Sequence, residues 1–156
     1  MAVDNLHLTM VEGQIFALLG HNGAGKTTTI NMLNGIYKPT SGDAQIYGKS
    51  VVDEMDEIRH TIGNCFQHDV LYPDLTVEQH IHMYARLKGI PEDQVSDKLN
   101  EVVAAVGLTE KLHTKSTALS GGMKRKLSLS CALVGGKEVS KVLFLDASTD
   151  AICRWL

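Results

Sequence analysis

Short apolar runs mark the strands that the sequence predicts. The run 14–19 is apolar and ends at Gly20, which is typical of a buried strand in a parallel sheet. Two more core strands are expected at 61–66 and 141–145, and a strand of an antiparallel pair is expected at 43–47 after a turn. The predicted strands therefore lie in the first and last parts of the chain.

Helical spacing of apolar residues dominates the middle of the chain, after one earlier helix that is expected at about 25–34. Thr76 and Gln79 fit a capping box, which opens a second helix. Pro91 suits the first position of a third helix, and Gly107 suits its end. The apolar faces of the second and third helices are predicted to consist of Val77, Ile81, Tyr84 and Leu87, and of Val95, Leu99, Val102, Val103 and Val106.

The order of these elements favours an α/β fold with a mostly parallel sheet and a small antiparallel β part. Residues 73–135 are interpreted as a helical subdomain that is inserted into an α/β core of residues 1–72 and 136–156. A chain of 156 residues with 44% hydrophobic and 21% charged residues has the size and composition of one globular domain. Residues 1–156 are therefore predicted to form a single domain.

Composition excludes several classes of protein. A net charge of −3 and 5% aromatic residues argue against a protein that binds nucleic acid through bulk charge or base stacking. The three cysteines form no closely spaced pair, which favours a reducing compartment, and Cys65 and Cys131 are expected to be small buried hydrophobic residues. The chain is expected to be soluble, because the sequence shows neither an apolar run of about 20 residues nor a signal peptide.

Residues 20–27 match the phosphate-loop pattern at every position, between a predicted strand and a predicted helix. Glycines let successive N–H groups turn toward phosphate oxygens, and the helix N-terminus adds the positive end of its dipole. Lys26 is expected to bind the β- and γ-phosphates of ATP, and the Thr27 hydroxyl is expected to bind Mg²⁺. The predicted nucleotide-binding residues of this loop are Gly20, Asn22, Gly23, Ala24, Gly25, Lys26, Thr27 and Thr28.

Three further segments add to this picture. Asp146 ends an apolar strand, where a carboxylate can hold Mg²⁺ through water. Gln67 follows the predicted strand 61–66 and, taken alone, is an ordinary loop residue. The segment Leu-Ser-Gly-Gly-Met at 119–123 begins a helix and offers hydroxyl and N–H donors to an anionic phosphate, although Ser120 could equally be a simple helix cap.

Taken together and in this order, the motifs resemble those of ATP-binding cassette (ABC) transporter nucleotide-binding domains, over about residues 2–146. Leu-Ser-Gly-Gly is the most discriminating motif, because most other phosphate-loop proteins lack it. The amino-acid sequences of segments 20–29, 84–89 and 119–128 resemble those of the A-type subfamily of eukaryotic ABC transporters. The resemblance implies the fold of a phosphate-loop NTPase core.

The resemblance also implies partners. A second nucleotide-binding domain would pair head to tail with this one, and the ATP of one copy would be covered by the signature residues Ser120, Gly121 and Gly122 of the other. Stretch 67–76 would contact transmembrane domains that move a substrate, usually a lipid. The chain would then act at the cytosolic side of a membrane, and no nucleic acid is expected.

By the same resemblance, Gln67 would join the nucleotide site, and Mg²⁺ would be surrounded by Thr27, Gln67 and Asp146. The family places a glutamate after the aspartate to polarise the attacking water, whereas this chain has Ala147. The loss of a general base typically costs about 10²–10⁴-fold in rate. No histidine follows His113, so the family's switch histidine is also missing.

No catalytic residue is therefore intact, and ATP binding with impaired hydrolysis is predicted. The chain is interpreted as a partial ABC domain, incomplete at both ends. Two alternatives remain open: a non-catalytic interaction module gated by nucleotide, and a soluble ABC-type ATPase without a membrane partner.

Other polar residues have simpler interpretations. His80 and His82 lie two positions apart on a predicted helix and point to different sides, so they are expected to be solvated rather than to bind metal. The basic run 124–126 is expected to be a solvated face. His21 is expected to fill a variable position of the phosphate loop.

Overall fold

The structure is a computed structural model and describes residues 2–66, 70–134, 142–145 and 151–152. Within these ranges, two short 3₁₀ turns (Thr109–Lys111 and Ser116–Ala118) accompany the longer elements. The helices and strands are β1 (Ala17–Leu18), α1 (Lys26–Leu33), β2 (Gln45–Ile46), β3 (Lys49–Ser50), α2 (Met55–Arg59), β4 (Ile62–Cys65), α3 (Val77–Leu87), α4 (Glu92–Val106), α5 (Gly121–Leu133), β5 (Val142–Leu145) and β6 (Ala151–Ile152).

The strands form three two-stranded sheets in the described part of the chain. β4 and β5 are parallel, with Ile62 opposite Val142. β2 and β3 are antiparallel and are joined by Tyr47 and Gly48, which both have positive φ, as a tight hairpin turn requires. The mixed α/β class and the antiparallel strand at 43–47 are thus confirmed. The parallel sheet is represented in the described ranges by this one pair.

Strand β1 differs from the expectation for the run 14–19. Only Ala17–Leu18 is a strand, and it pairs antiparallel with β6, with Ala17 opposite Ile152. Ile15 is 53% exposed and Leu19 is 68% exposed, so the prediction of a buried parallel strand is wrong. An unbroken apolar run has no period that shows which face is covered, and its burial depends on distant neighbours.

The first part of the chain packs around one hydrophobic cluster together with β5. We call α1, β2, β3, α2, β4 and β5, with the phosphate loop, the core unit. Helix α1 agrees with the predicted helix at 25–34 and contributes Ile30 to the cluster. The buried members are Ile30, Ile46, Val51, Met55, Ile58, Ile62 and Phe144.

Helices α3, α4 and α5 pack around a second cluster, and we call them the helical unit. The predicted capping box is present: the Gln79 N–H donates to Thr76 Oγ1 (3.2 Å), and the Thr76 N–H donates to Gln79 Oε1 (2.9 Å). α4 ends at Gly107, whose φ of 68° lies in the left-handed region, as predicted. The buried members are Val77, Ile81, Ala85, Ile90, Val95, Leu99, Val102, Val103, Leu108, Leu119, Leu127, Cys131 and Val134.

Two details of α3 and α4 differ from the sequence prediction. Leu87 is 69% exposed and Ala85 is buried in its place. Leu87 belongs to the i, i+4 row of Gln79 and Met83, which lines an open surface groove rather than the cluster. Pro91 precedes α4 as its N-cap rather than standing at the first helical position.

The two units meet where α5 packs on β4. Cys65, Ala132 and Leu143 form a small buried cluster there, and Cys65 and Cys131 are both buried, as predicted. A Cβ atom on Gly63 would lie 2.6 Å from Ala132 O, so the contact requires glycine. Lys88 Nζ donates to the same carbonyl at 2.5 Å, and burial lowers the pKa of Lys88 to about 8.

No helix in the described ranges is long and apolar enough to cross a membrane.

Candidate nucleotide-binding site

The phosphate loop bends at two glycines before it enters α1. Gly23 has φ 86° and Gly25 has φ 87°, both in the left-handed region that glycine adopts without steric cost. Gly25 is the N-cap of α1, and a Cβ atom on it would lie 3.0 Å from Val3 Cγ2, so the residues near the N-terminus pack against the loop. Both conformation and space therefore require glycine at position 25.

Lys26, the first residue of α1, carries the positive charge of the loop. Its Nζ donates to Gly20 O at 2.5 Å and to His21 O at 3.0 Å. These contacts hold the ammonium group against the backbone of the phosphate loop. The side-chain charge thereby adds to the positive end of the α1 dipole.

The three threonines that follow Lys26 have different surroundings. Thr29 is buried, and its Oγ1 donates to Gly25 O at 3.0 Å, so its hydroxyl stabilises the first turn of α1. Thr27 is exposed and Thr28 is half-buried. An exposed hydroxyl next to Lys26 suits the Mg²⁺ ligand that the sequence predicts.

The signature segment forms the N-terminus of α5. Ser120 is the N-cap, and its Oγ accepts the Met123 N–H at 3.3 Å. Gly121 and Gly122 are exposed, and a Cβ atom on either would meet no described atom within 4 Å. The helix-cap interpretation of Ser120 is confirmed, and the first turn leaves room for a group that approaches from outside.

The basic run after the signature segment is not the uniformly solvated face that the sequence predicts. Arg125 is half-buried, and its guanidinium donates to Phe66 O, just after β4. The prediction is wrong for Arg125, while Lys126 is exposed. The partner is a main-chain carbonyl 59 residues away, so no local pattern could identify it.

His80 also contradicts its prediction, because it is fully buried. Its Nδ1 lies 2.7 Å from Thr76 O, and its Nε2 accepts the Tyr72 N–H at 2.9 Å. A carbonyl can only accept, so the proton is on Nδ1 and the ring is neutral. Burial lowers the pKa of His80, which stabilises this neutral form.

The sequence does contain a signal for the burial of His80. Val77 and His80 are three positions apart on α3 and share the face that packs on the cluster of the helical unit. His82 lies on another side of the helix and lines the surface groove. The two histidines thus point to different sides, as predicted, but only one faces outward.

Three positions that matter to the predicted site fall outside the described ranges. These are Gln67 and Asp146, which are predicted site residues, and Ala147, which stands where the family has its glutamate. The proposed Mg²⁺ ligands Gln67 and Asp146, and the substitution of the family's glutamate by Ala147, therefore stay predictions from the sequence. The described part of the predicted site consists of the loop glycines, Lys26 and Thr27, and their binding of a triphosphate also stays a prediction.

Comparison with known proteins agrees with this arrangement. The family model for the ABC transporter domain matches residues 3–150. Human phospholipid-transporting ATPase ABCA3 is 48% identical over 98% of this chain and 9% of its own length. ATP-binding cassette sub-family A member 2 of Rattus norvegicus is 45% identical over 97% of this chain and 6% of its own length. ABC transporter A family member 6 of Dictyostelium discoideum is 45% identical over 97% of this chain and 9% of its own length.

A solved ATP-binding subunit of an ABC transporter has a similar fold. It aligns with a TM-score of 0.67 and 31% identity, over 74% of this chain and 48% of that one. The chain spans no more than 9% of the length of the curated relatives named above. Because the family model covers nearly the whole chain, the chain belongs to the ABC transporter family, and its relatives include members of the A subfamily.

Proposed function

We propose that this chain is the ATP-binding domain of a transporter that moves lipids across a membrane, and that it binds Mg-ATP at the phosphate loop. The observation that carries the proposal is the left-handed conformation of Gly23 and Gly25 directly before α1, with Lys26 held on the same loop. The lipid substrate is supported by the similarity to a phospholipid-transporting ATPase. The chain would lie at the cytosolic side of the membrane, where transmembrane partners would contact stretch 67–76.

Each residue of the loop has a defined role in this proposal. The backbone N–H groups around Gly23 and Gly25 bind phosphate oxygens, and the α1 N-terminus favours their negative charge. Lys26 exchanges its carbonyl partners for the β- and γ-phosphates, and Thr27, with Gln67 and Asp146, would hold Mg²⁺. Bound Mg²⁺ would neutralise charge on the phosphates.

A second copy would complete the site. Ser120, Gly121 and Gly122 lie at the exposed N-terminus of α5, where N–H groups and the helix dipole favour an anion. In a head-to-tail pair, this turn would contact the γ-phosphate that is bound by the partner's loop. The exposure of the turn in a single chain supports this proposal.

Hydrolysis is expected to be slow, because Ala147 has no group that accepts a proton. This substitution also favours a second candidate function, a nucleotide-gated interaction module that binds ATP and closes without turnover. The two functions share the same binding site. The rate of phosphate release from ATP distinguishes the two functions. A slow ATPase releases phosphate faster than its Lys26→Ala variant, whereas for a module without turnover the native chain and the variant have the same rate.

The proposed binding site is tested by thermal unfolding with Mg²⁺ and ATP, GTP, ADP or AMP. A ligand at 100 times its Kd adds about 2.7 kcal/mol of stability if it binds only the folded chain. ATP and GTP should raise the melting temperature more than AMP, because the phosphates provide the contacts. Lys26→Ala should remove this difference, whereas Lys38→Ala, on an exposed position after α1, should keep it. Equal shifts with AMP and ATP, or an unchanged ATP shift in Lys26→Ala, would contradict the proposal.

A further inference from the structure

A cavity of about 230 Å³ lies at the junction of the two units, where α5 packs on β4. Its described lining comes from β4, from α5 and from the end of α3, and includes Ile62, Asn64, Tyr84, Lys88, Cys131 and Ala132. Sites for drug-sized ligands usually measure about 300–1,000 Å³. This smaller cavity therefore suits a smaller molecule.

Lys88 places its amine in the wall of this cavity. It is the C-cap of α3, and its side chain is half-buried. Its Nζ donates to the carbonyl oxygen of Ala132 on α5 at 2.5 Å, across 44 residues of sequence. A lysine side chain in solvent samples many rotamers, and a contact with a buried residue limits them. The hydrogen bond therefore keeps the nitrogen beside the cavity.

Burial favours the uncharged forms of the amine and of a neighbouring thiol. It lowers the pKa of Lys88 to about 8 and raises the pKa of Cys131 to about 12. Because the ordinary pKa of lysine is about 10.4, about half of Lys88 but only about 0.4% of an exposed lysine is neutral at pH 8. Cys131 keeps its proton, and a thiol is a weaker nucleophile than a thiolate. The nucleophile of this cavity is thus the amine of Lys88.

The rest of the described lining decides which compounds fit beside the amine. Most of the lining surface is apolar, so an uncharged hydrocarbon chain is stabilised there, whereas a carboxylate would lose its water. Asn64 Oδ1 is buried and has no hydrogen-bond partner in the described part of the chain, so it can accept from a hydroxyl group. A neutral amine in an apolar pocket is the form of lysine that attacks carbonyl compounds.

We propose that this cavity binds short aliphatic aldehydes and that Lys88 forms an imine with them. The lone pair of Nζ attacks the carbonyl carbon, and one amine proton moves to the carbonyl oxygen, which becomes a hydroxyl group that can donate to Asn64 Oδ1. This oxygen takes up the second amine proton and leaves as water, while the nitrogen lone pair forms the C=N bond. One amine and one aldehyde thus give one imine and one water, without an oxidant or a reductant.

The test is reductive alkylation of the native chain with butanal and cyanoborohydride at pH 8, without nucleotide. Cyanoborohydride reduces an imine to a stable amine, and peptide mass spectrometry then gives the initial rate at each lysine. Lys88 should react about tenfold faster than the exposed Lys38 and Lys111, since its larger neutral fraction outweighs the weaker nucleophilicity of a less basic amine. Equal rates at the three lysines would overturn the proposal. Because no nucleotide is present, a failure of ATP binding would not change this result.

Two other compounds separate binding in the cavity from reactivity of the amine alone. The alcohol 1-butanol has the chain length of butanal but no carbonyl group, so it should occupy the cavity, slow the reaction of Lys88 and leave Lys38 unchanged. Glyoxylate is an aldehyde with a carboxylate, which the apolar lining disfavours, so its preference for Lys88 over Lys38 should be at least about threefold smaller than that of butanal. No effect of 1-butanol, or an equal preference with glyoxylate, would overturn the proposal.

A variant and an unfolded control locate the reaction. Lys88→Arg keeps a donor near Ala132 O but has no amine that forms an imine, so the fast site should disappear while Lys38 and Lys111 keep their native rates. A fast site that remains in this variant would overturn the assignment to Lys88. If the variant does not fold, the native chain in urea that unfolds it decides. Lys88 and Lys38 should then react at equal rates because the cavity is lost, and a preference that persists would overturn the proposal.

Discussion

The helical unit and the phosphate-loop region differ in how they use their side chains. In the helical unit, Val77, Ile81 and Leu127 are fully buried, and the capping box at Thr76 satisfies the first turn of α3. Around the phosphate loop, Ile15 and Leu19 are largely exposed, and the shape comes from glycines with positive φ. The first region is stabilised by packing, whereas the shape of the second is set by its backbone.

The largest effect is predicted for a substitution that disrupts the packing of the helical unit. Leu127→Ala removes a fully buried side chain from the cluster of the helical unit and should cost about 2–5 kcal/mol of the free energy of unfolding. Leu19→Ala, with the same change in size on a side chain that is 68% exposed, should cost less than about 0.5 kcal/mol. Urea denaturation measures both, and equal losses would contradict the comparison.

A second prediction concerns the junction between the two units. Gly63→Ala would place a Cβ atom 2.6 Å from Ala132 O and 3.2 Å from Leu143 Cδ1, so α5 must shift away from β4. The expected cost is about 1–3 kcal/mol. Gly122→Ala is the matched control, because its Cβ would meet no described atom within 4 Å. Its free energy of unfolding should not fall below that of the native chain. Equal free energies of unfolding for Gly63→Ala and the control would contradict this prediction, because α5 could then move away from β4 without a measurable cost.

The smallest predicted effect is the pH dependence that His80 gives to the helical unit. Burial lowers the pKa of His80 in the folded chain, so the unfolded chain binds the proton more readily. This contribution to stability is complete above about pH 6.5, the ordinary pKa of histidine, and is lost as pH falls toward the lower folded value. Urea midpoints of the native chain and of His80→Gln, measured from pH 5 to 7.5, should diverge as pH falls. His82→Gln should keep the native slope, and parallel curves for all three chains would refute the assignment.

The features that sequence analysis predicted correctly are those that depend on near neighbours in the chain. The capping box at Thr76, the helix end at Gly107 and the burial of Cys131 follow from local patterns or from residue type. The turn of the phosphate loop is equally local, because Gly23 and Gly25 before α1 have the left-handed conformation that glycine permits. The binding of nucleotide by this loop stays a prediction.

The features that were missed depend on distant partners. The burial of strand β1 is decided by what lies against it, and its partner β6 is far along the chain. Arg125 contacts a carbonyl at Phe66, and the Nε2 of His80 needs the N–H of Tyr72. An apolar run or a basic run has the same sequence pattern with and without such partners, so the exposure of β1 and the contact of Arg125 could be assigned only from the structure. For His80 the spacing from Val77 indicates the buried face, but not the partner of its Nε2.

The central claim is that the phosphate loop of one chain and the signature turn of another bind the same ATP. We would mix a Lys26→Ala chain with a Ser120→Arg chain in Mg-ATP and follow association by sedimentation velocity. In a head-to-tail dimer, neither variant alone has an intact site, whereas the mixture has one site with an unaltered Lys26 and an unaltered Ser120. The account predicts ATP-dependent dimers in the native chain and in the mixture but not in either variant alone. The account would be contradicted if the native chain formed dimers and the mixture formed none. It would also be contradicted if each variant alone dimerised as well as the native chain.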